Sequence, residues 1–169
     1  ISKGLDFENL TVVGVLNADN LLNYPDFRAH ERSYQMLEQV SGRAGRRQKQ
    51  GKVVIQTFDP SNIIIRQVLR HDYEGMFRMQ ADERKTFNYP PFCRMIKINL
   101  RHKEKNLLNM YADILGADLR SMFGKRVLGP EFPLISQVQS WFIKTILLKI
   151  ERGKSQVKAK QMINEAFVR

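Results

Sequence analysis

The chain has 169 residues, 43% of them hydrophobic and 27% charged, which fits an ordinary globular domain or part of one joined to a small companion. With 28 Lys and Arg against 17 Asp and Glu the net charge is +11 and the pI near 10.0, pointing to nucleic acid as a partner; a plain solubilising charge excess is the alternative. Apolar runs are too short to span a bilayer, no leader-like segment opens the chain, and the lone Cys93 supports neither a disulfide framework nor a Cys-based zinc site, so no membrane role is expected and a cytoplasmic location is.

The first residue is Ile1, and the chain is expected to be an internal or C-terminal piece of a longer protein. Thr11 to Leu16 is a short β-branched run without alternation, which predicts a strand of a parallel sheet buried on both faces. After the turn-like Asn23-Tyr24-Pro25-Asp26, a helix is predicted from about Phe27 to about Gly42, with Phe27, Tyr34, Leu37 and Val40 on its apolar stripe and Glu31 and Glu38 on its solvated face. A basic turn, Arg46 to Lys52, leads into a second strand, Val53 to Thr57, completing a βαβ arrangement. Asp59 as N-cap and Pro60 at the first helical position predict a helix to Arg70 carrying Ile63, Ile64 and Val68. Another follows from Tyr73 to Phe87, with Tyr73, Phe77 and its methionines as packing residues.

Asn88-Tyr89-Pro90-Pro91 stops that helix, and the pattern then changes from helical to alternating. The domain junction is therefore placed here, dividing the chain into 1–89 and 90–169. The second part reads as a strand from Arg94 to Leu100, a helix from Glu104 to Phe123, strands at Val127 to Pro130 and Trp141 to Ile150, and a last helix capped by Ser155. Its expected core is Ile96, Ile98, Tyr111, Leu115, Ile146, Leu148, Ile163 and Phe167, with Leu107, Ile114, Leu119 and Met122 also on the inward stripe of its first helix. The fold class is α/β followed by a small α+β domain. His30, His71 and His102 are too scattered for a metal site.

One stretch carries chemistry. In Gln39-Val40-Ser41-Gly42-Arg43-Ala44-Gly45-Arg46, two arginines each follow a glycine. If the helix continues that far, Gln39, Arg43 and Arg46 share a face, an amide and two guanidinium forks suited to phosphate oxygens. Glycines in a helix cost about 1 kcal/mol each relative to alanine, so the alternative is a glycine cap on a basic helix end.

This run resembles motif VI of superfamily 2 helicases, and Ser2-Lys3-Gly4-Leu5-Asp6-Phe7 resembles their motif V. With Leu16-Asn17-Ala18-Asp19, Pro25 to Arg32, Gln56-Thr57 and Tyr89-Pro90-Pro91-Phe92, the chain resembles the PriA family of primosomal replication-restart helicases. The specific motifs lie in about the first hundred residues, and a weaker likeness continues through Val127 to Pro130 and Ile146 to Lys149.

The resemblance implies the C-terminal part of a RecA-like helicase lobe over 1–89 and an S10-like domain over 90–169. It implies an ATP-dependent, 3′ to 5′ DNA helicase acting at stalled replication forks in the full-length protein. Arg43 and Arg46 would be catalytic fingers on the γ-phosphate; Gln39, Gly4 and Asp6 would bind ATP; Lys3, Arg47, Lys49 and Lys52 would bind DNA. The implied partners are single-stranded and forked DNA, single-strand-binding protein and other primosome proteins. ATP and magnesium would serve the whole protein, and zinc only a part upstream. No phosphate loop and no D-E-x-H run exist here, so this chain alone is expected to be inactive. Gln137 to Phe142 lacks the arginines that the family often carries there. A non-catalytic basic module that binds DNA forks and partner proteins is the other reading. An RNA helicase is disfavoured, because its motif VI usually begins His-Arg where this chain has Gln39-Val40.

Overall fold

The structure, a computed structural model, describes residues 11–42 and 51–168. Contacts divide the chain between Arg84 and Lys85 into two compact units. The first holds β1 (Val12–Val15), α1 (Asp19–Leu22), α2 (Ala29–Ser41), β2 (Lys52–Ile55), α3 (Ile63–Leu69) and most of α4 (Tyr73–Thr86). β1 and β2 pair in parallel, Val12 opposite Lys52 and Val15 opposite Ile55. Val15 and Ile55 pack against a core of Ala18, Leu22, Tyr34, Leu37, Ile64, Ile65, Val68 and Met76.

The sheet alternates: Val13 is 8% exposed, but Val12 and Val54 are 56% and 47% exposed. The expected burial on both faces is thus corrected, since among the described residues the core cluster covers one face only. The start of α3 is corrected as well. Asp59 spends its carboxylate on the Ser61 backbone N–H (3.0 Å) and hydroxyl (2.5 Å), and Asn62 caps the helix by accepting from Ile64 N–H at 3.0 Å. Ile63 is consequently exposed, while Ile64, Ile65 and Val68 turn inward.

In α4 the buried side chains are Met76 and Gln80, and the aromatics expected to pack are exposed, Tyr73 at 58% and Phe77 at 57%. Glu31 does not sit on a solvated face. It pairs with Arg84, whose side chain is 14% exposed and whose guanidinium lies 5.3 Å from the Phe27 ring centre.

The second unit is a four-stranded antiparallel sheet with α5 (Lys105–Phe123) and α6 (Gln156–Val168). β6 (Trp141–Glu151) is central. It pairs with β3 (Cys93–His102) over Phe142 to Glu151, and its other edge takes β4 (Val127–Glu131) and the short β5 (Gln137–Val138). Ile96, Ile98 and Leu100 of β3 and Ile146, Leu148 and Ile150 of β6 share the core with Leu115, Leu119 and Phe123 of α5 and Ala159, Ile163 and Ala166 of α6. Ile98 faces Ile146 and Ile96 faces Leu148 in one sheet, as the alternation predicts.

Two expected core residues are corrected: Tyr111 is 57% and Phe167 53% exposed. The inward stripe of α5 is Leu108, Ala112, Leu115, Gly116, Leu119 and Phe123, so Ile114 also faces out. Gly129 carries a φ of +89, and a Cβ there would lie 2.7 Å from the Thr145 carbonyl oxygen, so β4 can approach β6 only with glycine at this point. Phe87 and Tyr89 belong to this sheet's surroundings. Lys149 Nζ donates to the Phe87 carbonyl at 2.8 Å and sits 3.9 Å from the Tyr89 ring centre. At the far end of the sheet, Lys103 lies over the Trp141 ring at 5.5 Å.

Candidate functional site

The parallel pair organises two loci at opposite ends of its strands. At the carboxyl end, Ala18 N–H donates to the Gln56 carbonyl at 2.9 Å, joining two of the short runs singled out in the sequence. Asp19 then closes the loop after β2, accepting from Thr57 Oγ1 at 2.9 Å and from Phe58 N–H at 3.0 Å. The Phe58 N–H holds the Asp19 carboxyl below its ordinary range; burial opposes this, and the Thr57 hydroxyl assists. Sequence reasoning quoted Asp19 and Thr57 without pairing them. The available signal was a short polar turn after each of two parallel strands, which places both at one sheet edge. The loop is fixed, yet Phe58 itself is 94% exposed.

At the amino end, the described residues flanking the two motif-like runs meet. Residues 2–7 lead into Thr11 and β1, and residues 43–50 lead into β2. The Lys52 N–H donates to the Thr11 carbonyl at 2.8 Å. Lys52 is exposed on the first position of β2, and Gln39 is exposed on the last turn of α2. α2 ends at Ser41 with Gly42 as its cap, and of the three residues expected to share a face only Gln39 lies on it. Arg43, Arg46, Arg47 and Lys49, with Lys3, Gly4 and Asp6, lie outside the described residues.

Gly42 has a φ of −69, a right-handed conformation open to any residue. A Cβ there would meet only the carbonyl oxygens of Glu38 at 3.6 Å and Gln39 at 3.9 Å, ordinary contact distances. Nothing in the described surroundings requires glycine at this position.

Each histidine has a neighbour of its own: Gln80 for His30 at 3.3 Å, Glu38 for His71 at 3.0 Å, and the Glu104 N–H for His102 at 2.9 Å. Among the described residues no group of three or more His, Cys, Asp or Glu could hold a metal ion. Cys93 is buried, its thiol donates to the Asn88 carbonyl at 2.9 Å, and burial pushes its pKa up. No helix among the described residues is long and apolar enough to cross a membrane.

Comparison with known protein families gives a match to the primosomal protein N C-terminal domain over residues 85–169, half of the chain and the whole of the second unit. The chain belongs to that family. Relatives of the primosomal protein N family extend the likeness into the first unit. Replication restart protein PriA of Bacillus subtilis is 37% identical over 154 residues, covering 90% of this chain and 19% of the relative. The protein of the same name from Synechocystis is 43% identical over 112 residues, covering 63% of this chain and 14% of its own length. That of Treponema pallidum is 36% identical over 151 residues, covering 88% of this chain and 23% of its own. The chain thus spans about a fifth of the length of these curated relatives. It corresponds to a C-terminal region of PriA, with a small parallel sheet and a four-stranded antiparallel sheet.

Proposed function

We propose that this chain is the C-terminal region of an ATP-dependent 3′ to 5′ DNA helicase that acts at stalled replication forks to restart replication. In this reading the first unit is the end of a RecA-like lobe and the second an S10-like domain. The observation that supports the reading is the pairing of Thr11 with Lys52, the described residues that follow the motif V-like and motif VI-like runs along the chain.

Arg43 and Arg46 spread charge over the γ-phosphate as its bond breaks; Gln39 senses the nucleotide with Gly4 and Asp6. Lys3, Arg47, Lys49 and Lys52 hold the DNA backbone. ATP reaches this edge from the rest of the protein, which supplies the phosphate loop and the magnesium-holding carboxylate that this sequence lacks. With one cysteine, the residues here do not fit the zinc site implied for the family, so zinc has no role in this region. Forked DNA, single-strand-binding protein and primosome proteins are the partners of the whole protein.

Arg43→Ala and Arg46→Ala in the full-length protein test the assignment. Each should lower DNA-stimulated ATP turnover at least tenfold, since an arginine finger contributes about 10³–10⁵ in related chemistry, and DNA affinity should change little. Turnover equal to wild type at saturating ATP and DNA in both variants would end the finger assignment. A net charge of +11 favours the second reading, a basic fork-binding module without catalysis. That reading predicts unchanged turnover in the same experiment.

A further inference from the structure

A shallow pocket of about 410 Å³ opens on the first unit, lined by Tyr34, Gln35, Glu38, His71 and Tyr73. Two of its walls are aromatic. The Tyr34 and Tyr73 ring centres lie 6.1 Å apart with planes inclined by 57°, and Tyr73 stacks on Phe77 at 6.3 Å. Tyr34 is buried, whereas Tyr73 and Phe77 present open ring surface.

The polar wall is Glu38. Its two oxygens lie 3.1 and 3.0 Å from His71 Nδ1. A carboxylate only accepts, so His71 carries a proton on Nδ1. A carboxylate has about four lone-pair positions, and the His71 donor leaves room for others. The Glu38 side chain keeps 27% of its surface exposed. Asp72 places a second negative charge near Tyr34, and its own oxygen caps α4 through Gly75 N–H at 2.8 Å. An aromatic pocket with a carboxylate in its wall stands out in a chain of net charge +11. Glu38 favours a cation there over a phosphate.

We propose that this pocket takes an arginine side chain presented by a basic segment of a partner protein. A planar guanidinium can lie against the open Tyr73 face while its edge donates to Glu38. The compact ammonium of lysine lacks the planar fork that matches both groups at once and fits less well. The proposal stands apart from the nucleotide assignment, since none of its residues belongs to the machinery proposed above.

The test uses the full 169-residue chain and three short acetylated peptides, identical except for a central arginine, citrulline or lysine. Amide and side-chain NMR shifts of the pocket residues are followed during titration. The arginine peptide should shift Tyr73 and Glu38 signals and saturate. Citrulline, isosteric but uncharged, should bind at least tenfold more weakly, and lysine should fall between. Glu38→Gln and Tyr73→Ala should each weaken arginine binding at least fivefold. Both positions are on the surface, and matching thermal unfolding curves would verify that the variants fold. Equal binding of arginine and citrulline peptides, an affinity unmoved by both substitutions, or no shifts at millimolar peptide would each overturn the proposal.

Discussion

Tyr34 carries an ionisation that its surroundings oppose. Burial, and then the nearby negative charge of Glu38, push its phenol from the ordinary 10.0 up to about 12. The folded state therefore favours the neutral phenol. Its stabilising contribution is complete below pH 10 and is lost as pH rises from there through about 12. Alkaline unfolding should show this loss, and Tyr34→Phe should remove that part of the pH dependence; an identical profile in the variant would contradict the assignment. Asp19 works in the opposite range. Its depressed pKa means that its contribution is present above the ordinary value of 3.8 and fades as pH falls through the lower folded value. Asp19→Asn should thus approach wild-type stability as the solution is acidified, measured by urea unfolding at a series of pH values. Neither residue announced itself in sequence. A tyrosine on an apolar stripe and an aspartate after a strand are ordinary, and only the fold places Glu38 beside the first and Phe58 N–H beside the second.

At the scale of elements, legibility followed how many ways a local pattern could be satisfied. Ser155 ends a polar turn, and the Lys158 N–H does lie 3.3 Å from its hydroxyl, so the start of α6 was readable. α5 was readable as a helix but not in phase. Leu107 and Leu108, like Ile114 and Leu115, are adjacent apolar pairs, and either member can define the stripe; the sheet selected Leu108 and Leu115. β5 was missed because two residues show no period. Asp59-Pro60 is a good generic helix start, but Ser61 captures the aspartate and hands the cap to Asn62. Asn62→Ala should accordingly cost about 1 kcal/mol in unfolding free energy. Asp59→Ala should leave α3 helicity unchanged by circular dichroism, whereas equal losses in the two variants would restore Asp59 as the cap. In the second unit, Ile146 is fully buried at the centre of β6, and Ile146→Ala should cost about 2–5 kcal/mol by urea unfolding.

For the whole molecule, charge and its placement decide the expected behaviour toward DNA. A chain of net charge +11 should bind single-stranded or forked DNA with a dissociation constant of roughly 10⁻⁴–10⁻⁶ M at physiological salt, tighter at low salt and weakening steeply as added salt reduces the gain from counterion release. Fluorescence anisotropy of a labelled fork at several salt concentrations would measure this, and a salt-independent affinity would remove the electrostatic account. The stretch through β5 and the start of β6 contributes nothing to that charge. Residues 132–143 include no Lys, Arg, Asp or Glu, so this run offers no cation to a phosphate backbone. That stretch also holds the one tryptophan of the chain, Trp141, under Lys103. It makes the two units optically unequal. Indole emission reports the second unit alone, and because a nearby ammonium perturbs the excited indole, its colour and yield should track the Lys103 contact. The first unit, with no indole of its own, stays dark in that channel. An unfolding transition recorded by emission can therefore be set against one recorded by backbone dichroism, and any gap between the two curves reads out how independently the units melt.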